Sequence, residues 1–186
     1  VLCPTEACFA FLETLFTEVA QLFPFEYVHI GGDEIPAGVW EGSPACQRML
    51  RDDPELESTD DLWYLFLRRL SGILSERGLA TAGWEEIGLT AGAHGTKKHP
   101  SEEFLDRDFR PYVWNNVWGW GAEDLGYQLA NAGYEIVLCN ATNLYFDLAW
   151  DKDPAEPGQA WAGLVDLRKP WELVPFDLYR NAREDR

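Results

Sequence analysis

Glu26-Tyr27-Val28-His29-Ile30 is a short β-favouring run that ends on Gly31-Gly32 and passes at once into two acids, Asp33-Glu34. So brief a run, ending at a glycine pair, predicts a strand. Upstream, Thr5 is placed to cap a helix whose apolar residues Cys8, Phe11, Leu12, Leu15, Val19, Leu22 and Phe23 recur at three- and four-residue steps, with Pro24 as its stop. Downstream, a second helix follows Thr59 or Asp60, carries Leu62, Leu65, Phe66, Leu70, Ile73 and Leu74 on one face, and closes at Gly78.

Working outward, Leu79 to Trp84 reads as a strand and Pro111 to Trp114 as another. Glu123 to Ala132 is a helix closed by Gly133, and Tyr134 to Cys139 is the most strand-like stretch of the chain. Helices alternating with short strands predict an α/β architecture with a parallel sheet. Three strand ends carry polar chemistry: Gly-Gly-Asp-Glu, Gly-Trp-Glu-Glu and Val-Trp-Asn-Asn. The fourth leads to Asn143-Leu144-Tyr145-Phe146-Asp147. Carboxyl ends of parallel strands are where such sheets place active sites, so the clustering favours an enzyme. From Trp150 the sequence is turn-rich and reads as a long loop with short helical turns. A closed (β/α)8 barrel takes about 250 residues. With 186 residues and four strands, the chain is either a small open sheet or roughly half a barrel.

Composition narrows the function. Against 32 Asp+Glu stand 15 Lys+Arg, for a net charge of −17. The one lysine pair, Lys97-Lys98, is no phosphate-binding patch, and the charge disfavours nucleic acid and anionic membrane surfaces alike. No apolar run approaches the roughly 18 residues of a membrane span. Cys3, Cys8, Cys46 and Cys139 form neither a dense disulfide framework nor a paired CxxC site, and read as buried thiols. Because position 1 is Val, the sequence reads as a processed product or an excerpt. Compartment (an extracellular, periplasmic or lysosome-like one is compatible) and oligomeric state stay open.

Asp33 and Glu34 are the sharpest chemical feature. Glycines just before them permit backbone angles and close approaches that a side chain would block. Adjacent residues leaving a strand point in different directions, so the two carboxyl groups can take different roles. Mutual repulsion and nearby indole rings would hold one of them protonated near neutral pH, a proton donor beside a charge-stabilising partner.

His29-Ile30-Gly31-Gly32-Asp33-Glu34 resembles the signature of family 20 glycoside hydrolases, the β-N-acetylhexosaminidases. Gly83-Trp84-Glu85-Glu86-Ile87, Val113-Trp114 and Asn143-Leu144-Tyr145-Phe146-Asp147 match further family motifs in order. The resemblance implies part of a (β/α)8 barrel, about strands four to seven with their helices. Residues 1–186 would then be a single partial catalytic domain, with the barrel core at about 1–147 and a loop and short-helix region at 148–186. It also implies a retaining exo-hydrolase of terminal β-linked N-acetylglucosamine or N-acetylgalactosamine, in which the substrate's 2-acetamido group is the nucleophile. The substrate would be an amino-sugar oligosaccharide or glycoconjugate, and no metal or organic cofactor is required.

By that resemblance Glu34 is the general acid/base. Asp33 orients the acetamido nitrogen and stabilises the oxazolinium intermediate, and Tyr145 donates to the acetamido oxygen. Trp84 and Trp114 wall the acetamido methyl, and Asp147 holds sugar hydroxyls. Trp118 and Trp120 compete with Trp114 for its role. If the chain is extended there, Tyr145 and Asp147 share one face. His29 reads as a hydrogen-bonded interior residue, Glu85 and Glu86 as caps of a following helix, and His94, Lys97, Lys98 and His99 as a solvated loop. The family also uses an Arg from the first strand, a His from the third, and a Trp with a Glu near the eighth, none of which has a counterpart here. A half barrel would expose two strand edges, so a further segment is expected to close it. Two other readings compete. A silent carbohydrate-binding protein needs no proton donor, and a carboxylate metal site lacks a nearby His set or EF-hand spacing.

Overall fold

A computed structural model describes residues 1–91, 98–175 and 177. The chain divides into two compact units, Val1–Arg110 and Pro111–Arg186. Among the described residues no helix is long and apolar enough to cross a membrane.

The first unit opens with α1, Glu6–Leu22, capped by the Thr5 hydroxyl, which accepts from the Cys8 N–H at 3.3 Å. Its buried stripe is Phe9 and Leu12, packed with Cys8 and Phe16 against Leu70, Phe66 and Ile73. Phe11, Leu15, Leu22 and Phe23, expected on the apolar face, are exposed. The helix is apolar on more than one side, so periodicity alone does not choose which side is covered. Strand β1, Tyr27–His29, pairs in parallel with β2, Ala80–Trp84. The ladder runs past β1, with Ile30 N–H donating to Ala82 and Trp84 N–H to the Gly31 carbonyl, both at 2.9 Å. Between the strands lie two helices. Pro44–Asp52 forms α2, with Ser43 as its cap and Pro44 at its first position. Helix α3, Thr59–Ser75, begins where the Asp61 carboxylate accepts from the Ser58 N–H at 2.8 Å. It buries Leu62, Trp63, Leu67, Leu70 and Leu74, and ends before Gly78. A 3₁₀ turn, Glu85–Gly88, follows β2 directly. Thr81 N–H donates to the Asp108 carbonyl at 3.0 Å, at the entrance of β3, Phe109–Val113.

In the second unit, the end of β3 pairs in parallel with β4, so the strand order is β1-β2-β3-β4. Strand β4 is only Val137–Leu138, shorter than the six residues expected from Tyr134 to Cys139. The backbone of Tyr134 is taken up in closing α4, Leu125–Ala132: its N–H donates to the Leu129 carbonyl at 3.1 Å, beside Gly133 at φ +112°. A short α5, Ala141–Leu144, follows. Among the described residues that follow, Arg168–Glu172 forms a five-residue α6. The α/β class with parallel strands is therefore as predicted.

Candidate active site

At the end of β1 three residues take left-handed backbone angles: Gly31 (φ +76°), Gly32 (+93°) and Glu34 (+48°). Glu34 is the only non-glycine residue in that region among the described residues. Its backbone is strained by the clash of Cβ with its own carbonyl, a feature that concentrates at functional sites. The glycines around it are dictated by packing. A Cβ on Gly32 would lie 2.9 Å from Ile87 Cγ2, and one on Gly83 would lie 2.7 Å from the same carbon and 2.8 Å from the Gly31 carbonyl oxygen. Bare backbone at 32 and 83 lets the 3₁₀ turn press against the loop that carries Asp33 and Glu34.

That pressure brings in Glu86. Its Oε1 accepts from the Glu34 backbone N–H at 3.4 Å, and no donor among the described residues reaches its buried Oε2. Burial pushes the Glu86 carboxyl up. Its own backbone N–H, Lys98 and the Glu34 N–H pull the other way, and Asp33 adds to the rise. Glu85 and Glu86 do sit in the first turn of the short helix. Yet the Glu86 side chain is a buried support of the acid loop, which a capping role does not describe. A cavity of about 270 Å³ lies beside the loop, lined by Gly32, Ile35, Trp40, Trp63, Glu86 and Lys98 among others. Lys98 therefore faces a cavity, in place of the solvated loop expected of it. His94 and Lys97 lie outside the described residues.

Asp33 and Glu34 both expose their side chains. His29 is exposed as well, contrary to the interior position expected of it. Its Nδ1 accepts from the Gly31 N–H at 3.3 Å, and its ring meets Trp84 edge-on at 4.9 Å. Partial desolvation lowers its pKa, and the Asp33 charge opposes that shift.

The second unit holds the remaining candidates. Trp114, at the end of β3, is buried and meets Trp161 edge-on at 5.9 Å. Tyr145 meets Trp161 edge-on at the same separation, and Trp120 lies tilted against it, also at 5.9 Å. Trp161 is thus the hub of an aromatic cluster that sequence reasoning misses, because its turn-rich surroundings carry no strand or motif signal. Tyr145 is placed by a polar relay. Asn116 Nδ2 donates to Thr142 Oγ1 at 2.7 Å, and Thr142 Oγ1 donates to Asn143 Oδ1 at 3.0 Å, which ties the loop after β3 to α5. Tyr145 to Leu148 is a turn closed by the Leu148 N–H on the Tyr145 carbonyl at 3.3 Å. The extended geometry that would align Tyr145 with Asp147 is therefore absent, and Asp147 is exposed. Trp118 is 45% exposed and Trp114 8%. Among the described residues, no group of three or more His, Cys, Asp or Glu side chains is arranged to hold a metal ion.

The catalytic-domain model of glycosyl hydrolase family 20 matches residues 1–186. The chain belongs to that family. It is 31% identical over 168 residues to a β-hexosaminidase of Vibrio furnissii, covering 90% of this chain and 24% of the relative. A Vibrio vulnificus β-hexosaminidase is 29% identical over 183 residues, covering 95% and 21%. Among solved structures, a family 20 exo-β-N-acetylglucosaminidase from Vibrio harveyi in complex with N-acetylglucosamine superposes with a TM-score of 0.75 at 30% identity, over 98% of this chain and 27% of that one. The chain spans about a quarter of the length of these relatives. Within the family 20 chain, the Gly31-Gly32-Asp33-Glu34 turn is the element whose strained backbone, glycine packing and buried Glu86 support are built together.

Proposed function

We propose that this chain supplies the acid/base segment of a retaining exo-β-N-acetylhexosaminidase that cleaves terminal β-linked N-acetylglucosamine or N-acetylgalactosamine. The observation that carries the proposal is the left-handed Glu34 at the lip of a parallel sheet, in a chain matched throughout by the family 20 catalytic model. In this reading the substrate's acetamido oxygen attacks the anomeric carbon while Glu34 protonates the departing glycosidic oxygen. Asp33 orients the acetamido N–H and offsets the positive charge of the oxazolinium ring. Glu34, now a carboxylate, takes a proton from water as that water opens the ring, so the β configuration is kept. Tyr145 donates to the acetamido oxygen, Trp84 and Trp114 enclose the methyl group, and Asp147 and Trp118 serve the sugar at the rim. Trp161 holds Trp114 and Tyr145 in place, and Glu86 holds the backbone of Glu34.

The four strands correspond in this proposal to about strands four to seven of a (β/α)8 barrel, both units being parts of one catalytic domain. The rest of that barrel covers the acids that are exposed here. The test is Glu34→Gln in the intact protein, assayed on an aryl N-acetylglucosaminide. A loss of about 10²–10⁴-fold in kcat is expected, the usual worth of general acid catalysis, together with strong inhibition by a thiazoline mimic of the intermediate. Wild-type turnover in Glu34→Gln would remove Glu34 from its role, and indifference to the mimic would point to an enzymic nucleophile.

A further inference from the structure

Three of the four cysteines lie in the first unit, and two of them meet. Cys3 Sγ and Cys46 Sγ are 2.9 Å apart, closer than unbonded sulfurs normally pack. Backbone contacts hold both residues. Ser43 caps α2 by accepting from the Cys46 N–H at 3.4 Å, which fixes Cys46 in the first turn. The Trp40 indole N–H donates to the Leu2 carbonyl at 3.1 Å, and Thr5 N–H donates to the Cys3 carbonyl at 2.8 Å. Both backbone segments are thus pinned next to the sulfurs. Cys46 is fully buried, and Cys3 is partly accessible to a reagent.

We propose that Cys3 and Cys46 are the two halves of a disulfide that staples the segment bearing Asp33 and Glu34. The closed loop would join positions 43 apart and would contain β1, the Gly31-Gly32 turn, both acids and the cavity-lining Val39, Trp40 and Glu41. A tie of that span acts chiefly by restricting the unfolded chain. The oxidant is a disulfide donor such as oxidised glutathione or the disulfide of a thiol oxidoreductase. Cys3, as thiolate, attacks one donor sulfur and releases the first donor thiol. Cys46, as thiolate, then attacks Cys3 Sγ and releases the second. Two electrons pass from the cysteine pair to the donor, and the two thiol protons end on the two released thiols. Burial, then the hydrogen bond and charge of Cys46, raise the Cys3 thiol to about 11. Exchange therefore has few thiolates to work with at neutral pH, which calls for a mildly alkaline reaction.

The experiment treats the intact, reduced protein with oxidised glutathione at mildly alkaline pH, then quenches with acid and alkylates. Digestion after glutamate separates the three thiols by cutting at Glu6, Glu13 and Glu41. The expected product is a Cys3–Cys46 cross-linked peptide two hydrogens lighter than its reduced parts, with Cys8 and Cys139 alkylated. The melting temperature should rise by about 5 °C or more on oxidation. Cys3→Ser, which leaves the buried Cys46 in place, should show neither cross-link nor rise. The proposal fails if both cysteines remain alkylatable, if Cys3 stops as a glutathione adduct, if it pairs with Cys8, or if the cross-link forms without raising the melting temperature.

Discussion

Replacing Glu34 by glycine should make the intact protein more stable than replacing it by glutamine, although both variants should lose most of their turnover. Glutamine keeps the Cβ and therefore keeps the strain of φ +48°. Glycine removes it. A left-handed L-residue costs about 1–2 kcal/mol, and the added freedom of glycine in the unfolded chain takes back about 0.5–1 kcal/mol. The balance favours Glu34→Gly over Glu34→Gln by about 0.5–1 kcal/mol. The backbone N–H that donates to Glu86 survives in both variants, so the comparison isolates the side chain's effect on φ. Urea unfolding followed by indole fluorescence reads the difference. With a slope of about 2–3 kcal/mol per molar, the midpoint should move up by about 0.3 M. A Glu34→Gly midpoint at or below that of Glu34→Gln would show that no strain is stored there, and the structural argument for Glu34 as a functional position would go with it.

Glu86 makes a prediction in pH. Its folded-state carboxyl is raised above the usual 4.5, so the folded protein binds the proton more tightly than the unfolded one. Stability then falls as pH rises from about the unfolded value through the raised one. Glu86→Gln, which keeps an acceptor for the Glu34 N–H, should be more stable than the parent above that window, with the advantage fading as pH drops to about 4.5. Melting curves over a pH series would expose the opposite trend. Gly83→Ala should destabilise by about 1–3 kcal/mol, since the new methyl would stand 2.7 Å from Ile87 Cγ2 and 2.8 Å from the Gly31 oxygen. A neutral result in denaturant titration would mean the turn yields freely. Trp161→Ala removes the ring shared by Trp114, Trp120 and Tyr145, and should raise KM roughly tenfold on an aryl N-acetylglucosaminide. An unchanged KM would show that Trp161 does not position Trp114 and Tyr145 for the substrate.

Local signals are legible in the amino-acid order alone, because they depend on what one residue permits its own backbone to do. Thr5 ahead of α1, Gly78 and Gly133 after their helices, and Gly31-Gly32 at the end of β1 all behave as their conformational preferences require. The Ser43-Pro44 start of α2 is equally local, a cap and a first-turn proline that outweigh the loop-like composition around them. Order along the chain also suffices to place the α/β class and the family, since four motifs follow four strand ends. Contacts between distant residues leave no such mark. Which side of the apolar α1 is covered depends on α3. The length of β4 depends on how much backbone the cap of α4 consumes. Glu86 is buried because two glycines let a 3₁₀ turn close on the acid loop. Trp161 becomes a hub because Trp114 and Tyr145 arrive at its ring from separate elements. A residue's own chemistry limits its conformation, whereas its exposure and its partners are set by segments far away in sequence, and only folding brings those to it.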